Sequence, residues 1–381
     1  MVYENKKMTA PILSAATDRE QPVIHNTDII ADSGEKDNPF EDNWEELFLQ
    51  MQQMTDPAYM HTISLNELYE QVYTSRPPLI DGLLCSGTYL FVGAPKMGKS
   101  FLMAQLAYHV SLGRPLWGYN VRQGTVLYLA LEDEYRRLQE RLFRMFGVEG
   151  TDELYFANSV KQLGGGLQEQ LDKFVHDHPN TKLIIIDTLQ KVREHSGDRY
   201  SYASDYDIVG QLKNFADRRG ICLLLVHHTR KQQADDKFDM ISGTNGLLGA
   251  ADGAFMLQKE KRTGNTATLD VSGRDQPDQK LHLVRNPERL IWELESAEAE
   301  LWKEPPDPIL EAVAKLVSNE AWTGTPSQLV EALKLDMQPN TLTMRLNVRA
   351  GKLADTYGIT YENKRSHAGR RITLAPITDK A

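Results

Sequence analysis

From about residue 60 to 295, short apolar runs alternate with stretches of helical periodicity. The runs at 89–92, 125–131, 182–187, 222–226 and 254–257 are rich in Val, Ile and Leu and predict strands. Apolar positions three to four residues apart predict helices at 100–112, 135–146, 167–176 and 204–219. Runs such as LIIID and CLLLV lack polar alternation, as strands covered on both faces do. Regular strand–helix alternation predicts an α/β fold with a mostly parallel sheet. Beyond it, TATLDVSG, QKLHLV and RLIWEL read as antiparallel strands that close the sheet.

The flanks have different patterns. Residues 1–59 carry no sustained periodicity and many acids, which predicts a mostly disordered acidic arm, with one amphipathic stretch at 44–54. The α/β pattern and its closing strands occupy 60–302, and KEPPDP at 303–308 reads as a proline-rich linker. Residues 309–381 predict three helices and a hairpin. Ile309, Leu310, Val313, Leu316 and Val317 share one face of the first helix. Thr325-Pro326 opens the second helix as N-cap and first residue, and Pro339 opens the third.

Composition narrows the setting. No apolar run approaches the roughly 20 residues of a membrane helix, and MVYENKKMTAPILS has no signal-peptide core. Cys85 and Cys222 are isolated and read as reduced core residues, and no zinc pattern exists; a cytoplasmic setting is expected. A net charge of −10 argues against a chain-wide nucleic-acid surface. The charge is uneven, however. Residues 1–60 hold four Lys/Arg against twelve acids, whereas 340–381 hold eight Lys/Arg against three acids. That basic end contains Arg345 and Arg349 on the third helix and Lys364, Arg365, His367, Arg370 and Arg371 around the hairpin turn. A helix–turn–helix with a basic wing predicts duplex DNA contact; packing on another protein is the alternative.

The candidate chemistry begins at the end of the first strand. Gly93-Ala94-Pro95-Lys96-Met97-Gly98-Lys99-Ser100 satisfies G-x-x-x-x-G-K-[ST], and Phe101 follows it into the helix. Glycines let backbone N–H groups curl around phosphate oxygens, and a helix N-terminus adds partial positive charge. Lys99 can reach the β- and γ-phosphates of ATP, and the Ser100 hydroxyl can ligate Mg²⁺. LIIID ends in Asp187, a carboxylate at a strand's C-terminal end, suited to hold the same Mg²⁺. LALEDE places Glu132 just past another strand, where it can accept a proton from attacking water. Asp133 and Glu134 are its neighbours and can instead cap the next helix.

The order GAPKMGKS, LALED with RRLQERL, LIIIDT, LLLVHHTRK and ISGTNGLLGAADGAFML resembles the RecA-type ATPases, and more narrowly the plasmid RepA-like replicative helicases, over about 76–295. The resemblance implies that Glu132 is the catalytic glutamate and that His227-His228 senses the γ-phosphate. It also implies that Arg230 and Lys231 lie on a DNA-facing central loop and that 243–246 precede another. One departure stands out: Ala250-Ala251-Asp252 holds no arginine where those helicases place an arginine finger. Arg274, after a strand, offers a substitute, as in the K-x-R element of DnaB-type helicases; a plain surface arginine is the alternative.

The expectation is therefore a RecA-like P-loop core, a small C-terminal winged-helix domain, Mg-ATP as cofactor, and a ring-forming homo-oligomer, a hexamer by resemblance. Single-stranded DNA would pass through the ring and duplex DNA would meet the wing, in replication of a plasmid, phage or integrative element. The alternatives are an ATP-switched DNA-binding regulator or loader, and a DNA-repair or defence ATPase.

Overall fold

The computed structural model describes residues 58–377, apart from 61, 74–75, 194–201, 229–244, 260, 262, 275, 300–305, 319 and 367–368. The amphipathic stretch at 44–54 and the sites at Arg230, Lys231, Gly243, Thr244 and His367 lie outside the described residues.

The core is one nine-stranded sheet in the order β3-β2-β4-β5-β1-β6-β7-β8-β9. Its parallel part contains β1 (Gly87–Gly93), β2 (Thr125–Ala130), β3 (Leu154–Ala157), β4 (Thr181–Asp187), β5 (Cys222–His228) and β6 (Gly253–Gln258). The helices are α1 (Leu65–Glu70), α2 (Lys99–Leu112), α3 (Tyr135–Phe146), α4 (Leu167–Asp177), α5 (Leu189–Val192), α6 (Tyr202–Arg219) and α7 (Asn245–Ala250). Strands β7 (Thr266–Gly273), β8 (Gln276–Arg285) and β9 (Trp292–Ala299) extend the sheet antiparallel from β6. This is the mostly parallel α/β core that the periodicity predicts.

Two apolar clusters cover the sheet's two faces. Phe91, Tyr128, Ile185 and Leu224 belong to one, and Leu90, Leu127, Ile184 and Leu225 to the other. Alternate residues of each strand thus feed opposite layers, which is why LIIID and CLLLV are apolar throughout. The described helices hold none long and apolar enough to cross a membrane. Both cysteines are free, Cys222 buried and Cys85 half-buried.

The C-terminal module runs α8 (Pro308–Leu316), β10 (Trp322–Gly324), α9 (Pro326–Leu333), α10 (Pro339–Tyr357), β11 (Ile359–Ser366) and β12 (Gly369–Pro376). Its sheet is antiparallel in the order β10-β12-β11. Thr325 forms a full capping box with Gln328, so the Thr-Pro start of α9 works as its chemistry predicts. The short β10 makes the hairpin a three-stranded sheet, and α10 runs to Tyr357, where Gly358 ends it in a left-handed conformation.

Helix α1 and the residues after it pack on this module. Val72 joins the cluster of Leu310, Leu346, Leu353 and Ile372. Asn347, buried on α10, donates to the Tyr69 and Glu70 carbonyls at 2.9 and 3.1 Å, and its Oδ1 accepts from Tyr361 at 2.8 Å and Asn363 at 3.0 Å. All of the amide's hydrogen-bonding atoms are therefore engaged.

Candidate active site

Sheet register gathers the site. Gly93 pairs with His228 across β1 and β5, Asp187 with Val226 across β4 and β5, and Ala130 with Asp187 across β2 and β4. The phosphate loop, His228, Asp187 and the chain leading to Glu132 therefore lie along the C-terminal edge of the parallel strands. That edge is where open α/β sheets bind ligands.

The loop leaves β1 at Gly93, passes Lys96 with φ 66°, and enters α2 through Gly98 with φ 101°. A Cβ at Gly98 would stand 3.0 Å from the Trp292 ring, so glycine satisfies both the left-handed backbone and the close approach. Trp292 is fully buried and locks this region. Its backbone N–H donates to Gln105 and its carbonyl accepts from Gln105, both at 2.8 Å; Trp117 also donates to that carbonyl at 2.7 Å.

Lys99 is 5% exposed and its ammonium donates to the Gly93 and Ala94 carbonyls at 2.7 and 3.0 Å. It also meets His228 Nδ1 at 2.9 Å. An ammonium has no lone pair, so Nδ1 accepts and the imidazole proton sits on Nε2. Burial pulls Lys99 down to a pKa of about 8, against the opposing pull of Asp187 and Glu132. Burial, and then the Lys99 charge, hold His228 below its ordinary value. Phosphate oxygens arriving at the loop would give this desolvated ammonium the anionic partner that two neutral carbonyls do not supply.

Asp187 is also buried, which pushes its carboxyl above the ordinary value; hydrogen bonds from Ser100 and Tyr128 work against that shift. The Tyr128 bond is 2.8 Å. Ser100 and Asp187 thus already touch, presenting the hydroxyl and carboxylate oxygens that Mg²⁺ accepts alongside substrate phosphates and water. The donor set fits that ion. When bound, Mg²⁺ supplies charge neutralisation at the phosphates.

Glu132 is exposed beyond β2, and Thr188 donates to its Oε1 at 3.2 Å. The Asp187–Thr188 peptide is cis. Glu134 occupies the N-cap of α3 without a side-chain cap bond, and Asp133 pairs with Arg141 at 2.6 Å. Of the loop residues, Pro95 and Lys96 are exposed and Ala94 and Met97 half-buried. Phe101 is half-buried between two guanidinium groups, Arg285 at 4.2 Å and Arg141 at 4.8 Å from its ring centre.

Arg274 does not join this group. Gly273 pairs with Gly253, and Gly253 with Tyr89, near the start of β1. That level is four residues, about 13 Å, below the phosphate loop. Arg274 donates to the Gly249 carbonyl at 3.2 Å and lies 4.0 Å from Asp252, which Lys213 holds at 2.5 Å. In the C-terminal module Arg345, Lys364, Arg365 and Arg371 are exposed. Arg349 and Arg370 are half-buried, Arg370 lying 3.5 Å from Glu70, and Lys364 pairs with Glu362 at 2.7 Å.

Tyr128, Thr188, Trp292 and Arg285 belong to the site region without having been marked by sequence. The one available signal was Tyr128, a hydroxyl set in the otherwise apolar run VLYLA.

The AAA domain family matches residues 57–234, just under half of the chain. No curated protein matches it in sequence. Among solved structures the chain is similar to a DnaB-like replicative helicase described with its primase interactions, at 15% identity, TM-score 0.48, 65% of this chain and 70% of that one. It is similar to an ATPase domain solved on its own, with 15% identity, TM-score 0.47, and coverage of 66% of this chain and 98% of that one. A third is the KaiC-like protein PH0186 from Pyrococcus horikoshii OT3, at 15% identity, TM-score 0.42, 59% of this chain and 99% of that one. The AAA match spans Lys99, Glu132, Asp187 and His228, and with the strand-edge geometry it makes this core an ATPase.

Proposed function

We propose that the chain is a Mg-ATP-dependent, ring-forming DNA translocase of the RecA-type helicase class, serving replication of a mobile element. The observation that carries this reading is the contact between Lys99 and His228. It joins the phosphate-binding lysine directly to the end of β5, so arrival or loss of a γ-phosphate changes the partner of the residue from which 229–244 depart. Arg230 and Lys231 on that segment are the proposed single-strand contacts. Lys99 with the loop 93–101 holds the triphosphate, Ser100 and Asp187 hold Mg²⁺, and Glu132 takes the proton of the attacking water.

Arg274 is proposed to act on the nucleotide of a neighbouring copy, because its own phosphate loop lies at the opposite strand ends. An arginine supplied in trans stabilises transition-state charge on the transferred phosphoryl group. The C-terminal module is proposed as a winged helix. Its helix–strand–helix–helix–strand–strand order and its exposed basic side chains support that reading.

The test is strand displacement on a forked duplex by the full chain with Mg-ATP. Displacement is expected, and mixtures of Arg274→Ala with Glu132→Gln copies should regain part of it through interfaces that pair two intact halves. ATP-dependent DNA binding without displacement would instead favour the ATP-switched loader reading.

Duplex binding gives a separate measurement. Each phosphate contact contributes about −0.9 to the slope of log affinity against log salt. Replacing Lys364, Arg365, Arg370 and Arg371 together with Ala should flatten that slope by about two units, because Lys364 and Arg370 already face carboxylates. An unchanged slope would remove the wing from the DNA interface.

A further inference from the structure

At the strand edge opposite the phosphate loop lies a second concave site, a cavity of about 270 Å³. It opens where β1, β4 and β5 begin, since Gly87 and Leu183 both pair with Cys222. Arg76, Arg122 and Lys182 line it together with Ser86, over a floor that includes buried Cys222; among the described residues its lining holds no carboxylate.

The three cations are exposed side chains around one hollow, and both arginines are held in place. The Arg76 guanidinium donates to the Asp217 carbonyl at 2.9 Å, and Arg122 Nε donates to the Pro78 carbonyl at 2.8 Å. Both bonds use a neutral acceptor, and among the described residues each spends one of the five N–H groups that a guanidinium carries. Glycine makes room for the arrangement. Gly220 has φ 65°, and a Cβ there would stand 3.1 Å from the Arg76 guanidinium carbon. A Cβ on Gly124 would stand 2.1 Å from Lys182 Cγ, so a side chain at that position would evict the lysine. Asp217, whose carbonyl holds Arg76, has its carboxylate paired with Lys213 at 3.2 Å.

From this geometry we infer a second anion site, which takes a small phosphate-bearing ligand of diphosphate size. Two arginines and a lysine match the charge of a diphosphate better than that of a monocarboxylate, and arginine forks bind phosphate oxygens in pairs. The cavity is smaller than the pockets of about 300–1,000 Å³ that enclose drug-sized ligands, which excludes a whole nucleotide from its interior. A free diphosphate and the diphosphate end of a larger molecule share this chemistry. Their sources differ in whether the carbon portion adds contacts to the cavity rim.

The test uses the full chain, with the phosphate loop first saturated by Mg-ADP, and inorganic diphosphate as probe in calorimetric titration. One additional site is expected. The double substitution Arg122→Gln/Lys182→Gln should weaken it at least about tenfold, the loss of one good charge-assisted contact. Mg-ADP affinity and thermal midpoint should stay as in the unsubstituted protein, since neither residue touches the loop. Tighter binding by a diphosphate ester than by inorganic diphosphate would identify the ester as the natural source, and equal binding the free anion. Nucleotide-saturated protein that takes up no diphosphate would overturn the proposal. So would a double variant that binds it undiminished, or probe displaced by a single-stranded oligonucleotide, which would give the cations to DNA. Should the double variant lose its Mg-ADP affinity, Lys182→Gln alone is read by the same criteria.

Discussion

Lys99→Ala lowers Mg-ATP affinity by about thirtyfold or more and takes hydrolysis to background. Truncating one partner of a buried, hydrogen-bonded charge pair costs about 2–5 kcal/mol, and every 1.4 kcal/mol is tenfold. Lys99 would meet that condition with phosphate bound, since it is nearly fully buried and already directed at the loop's own carbonyls and His228. The fold should survive the change. Burial of this ammonium depresses its pKa to about 8, so without a phosphate partner the charge is held at a cost rather than stabilising the loop. Isothermal titration with Mg-ATP, alongside a thermal melt of the unliganded protein, separates the two effects. Binding within a few-fold of the unsubstituted protein would show that the loop 93–100 is not the nucleotide site.

Glu132→Gln has the opposite division: nucleotide binding retained and turnover reduced by about 10²–10⁴-fold, the usual worth of a positioned general base. The amide keeps the size and the acceptor oxygen that Thr188 contacts, and loses only the capacity to take a proton. Neighbouring acids are poor substitutes. Asp133 is tied to Arg141 at 2.6 Å and lies 3.6 Å from Arg137, and Glu134 stands at the N-cap of α3. Single-turnover hydrolysis with pre-bound Mg-ATP is the appropriate assay. A near-normal rate would move the role to Glu134, the acid with no ion pair among the described residues.

Most of the core was legible because one physical rule produced both the pattern and the structure. A strand covered on both faces must be apolar throughout, so LIIID and CLLLV announced themselves, and α3 occupies the predicted 135–146. Edge strand β3, Leu154–Ala157, was not anticipated. It is paired on one side only and half exposed, so LYFA carries neither a long apolar run nor strict alternation. The strand predicted from RLIWEL begins later, at Trp292, because Asn286 to Leu290 form a turn closed by the Leu290 N–H on the Asn286 carbonyl. The phosphate loop, Asp187 and Glu132 could be found from sequence since each sits at a strand end, and parallel strands bring such ends together. Contacts that depend on distant partners had no local signature. Gln105 and Trp292 are 187 positions apart, and Lys99 and His228 are 129 apart. Periodicity reports which face is buried, not which polar group waits there.

The docking of α1 means that the C-terminal module is discontinuous in the chain. Its surface is completed by Tyr69, Glu70 and Val72, which precede the ATPase strands, while its own strands and helices follow them. The ATPase strands thus lie, in chain order, between two stretches that pack on one another. Excising residues 309–381 would leave the Asn347 amide donor without its two carbonyl acceptors and uncover the side of the apolar cluster that Val72 closes. An unsatisfied buried group of that kind costs about 1–3 kcal/mol, a large share of what so small a domain has in hand. A faithful excised module would carry residues 64–73 fused ahead of 306–377, joined by a flexible linker across the gap where the core has been removed.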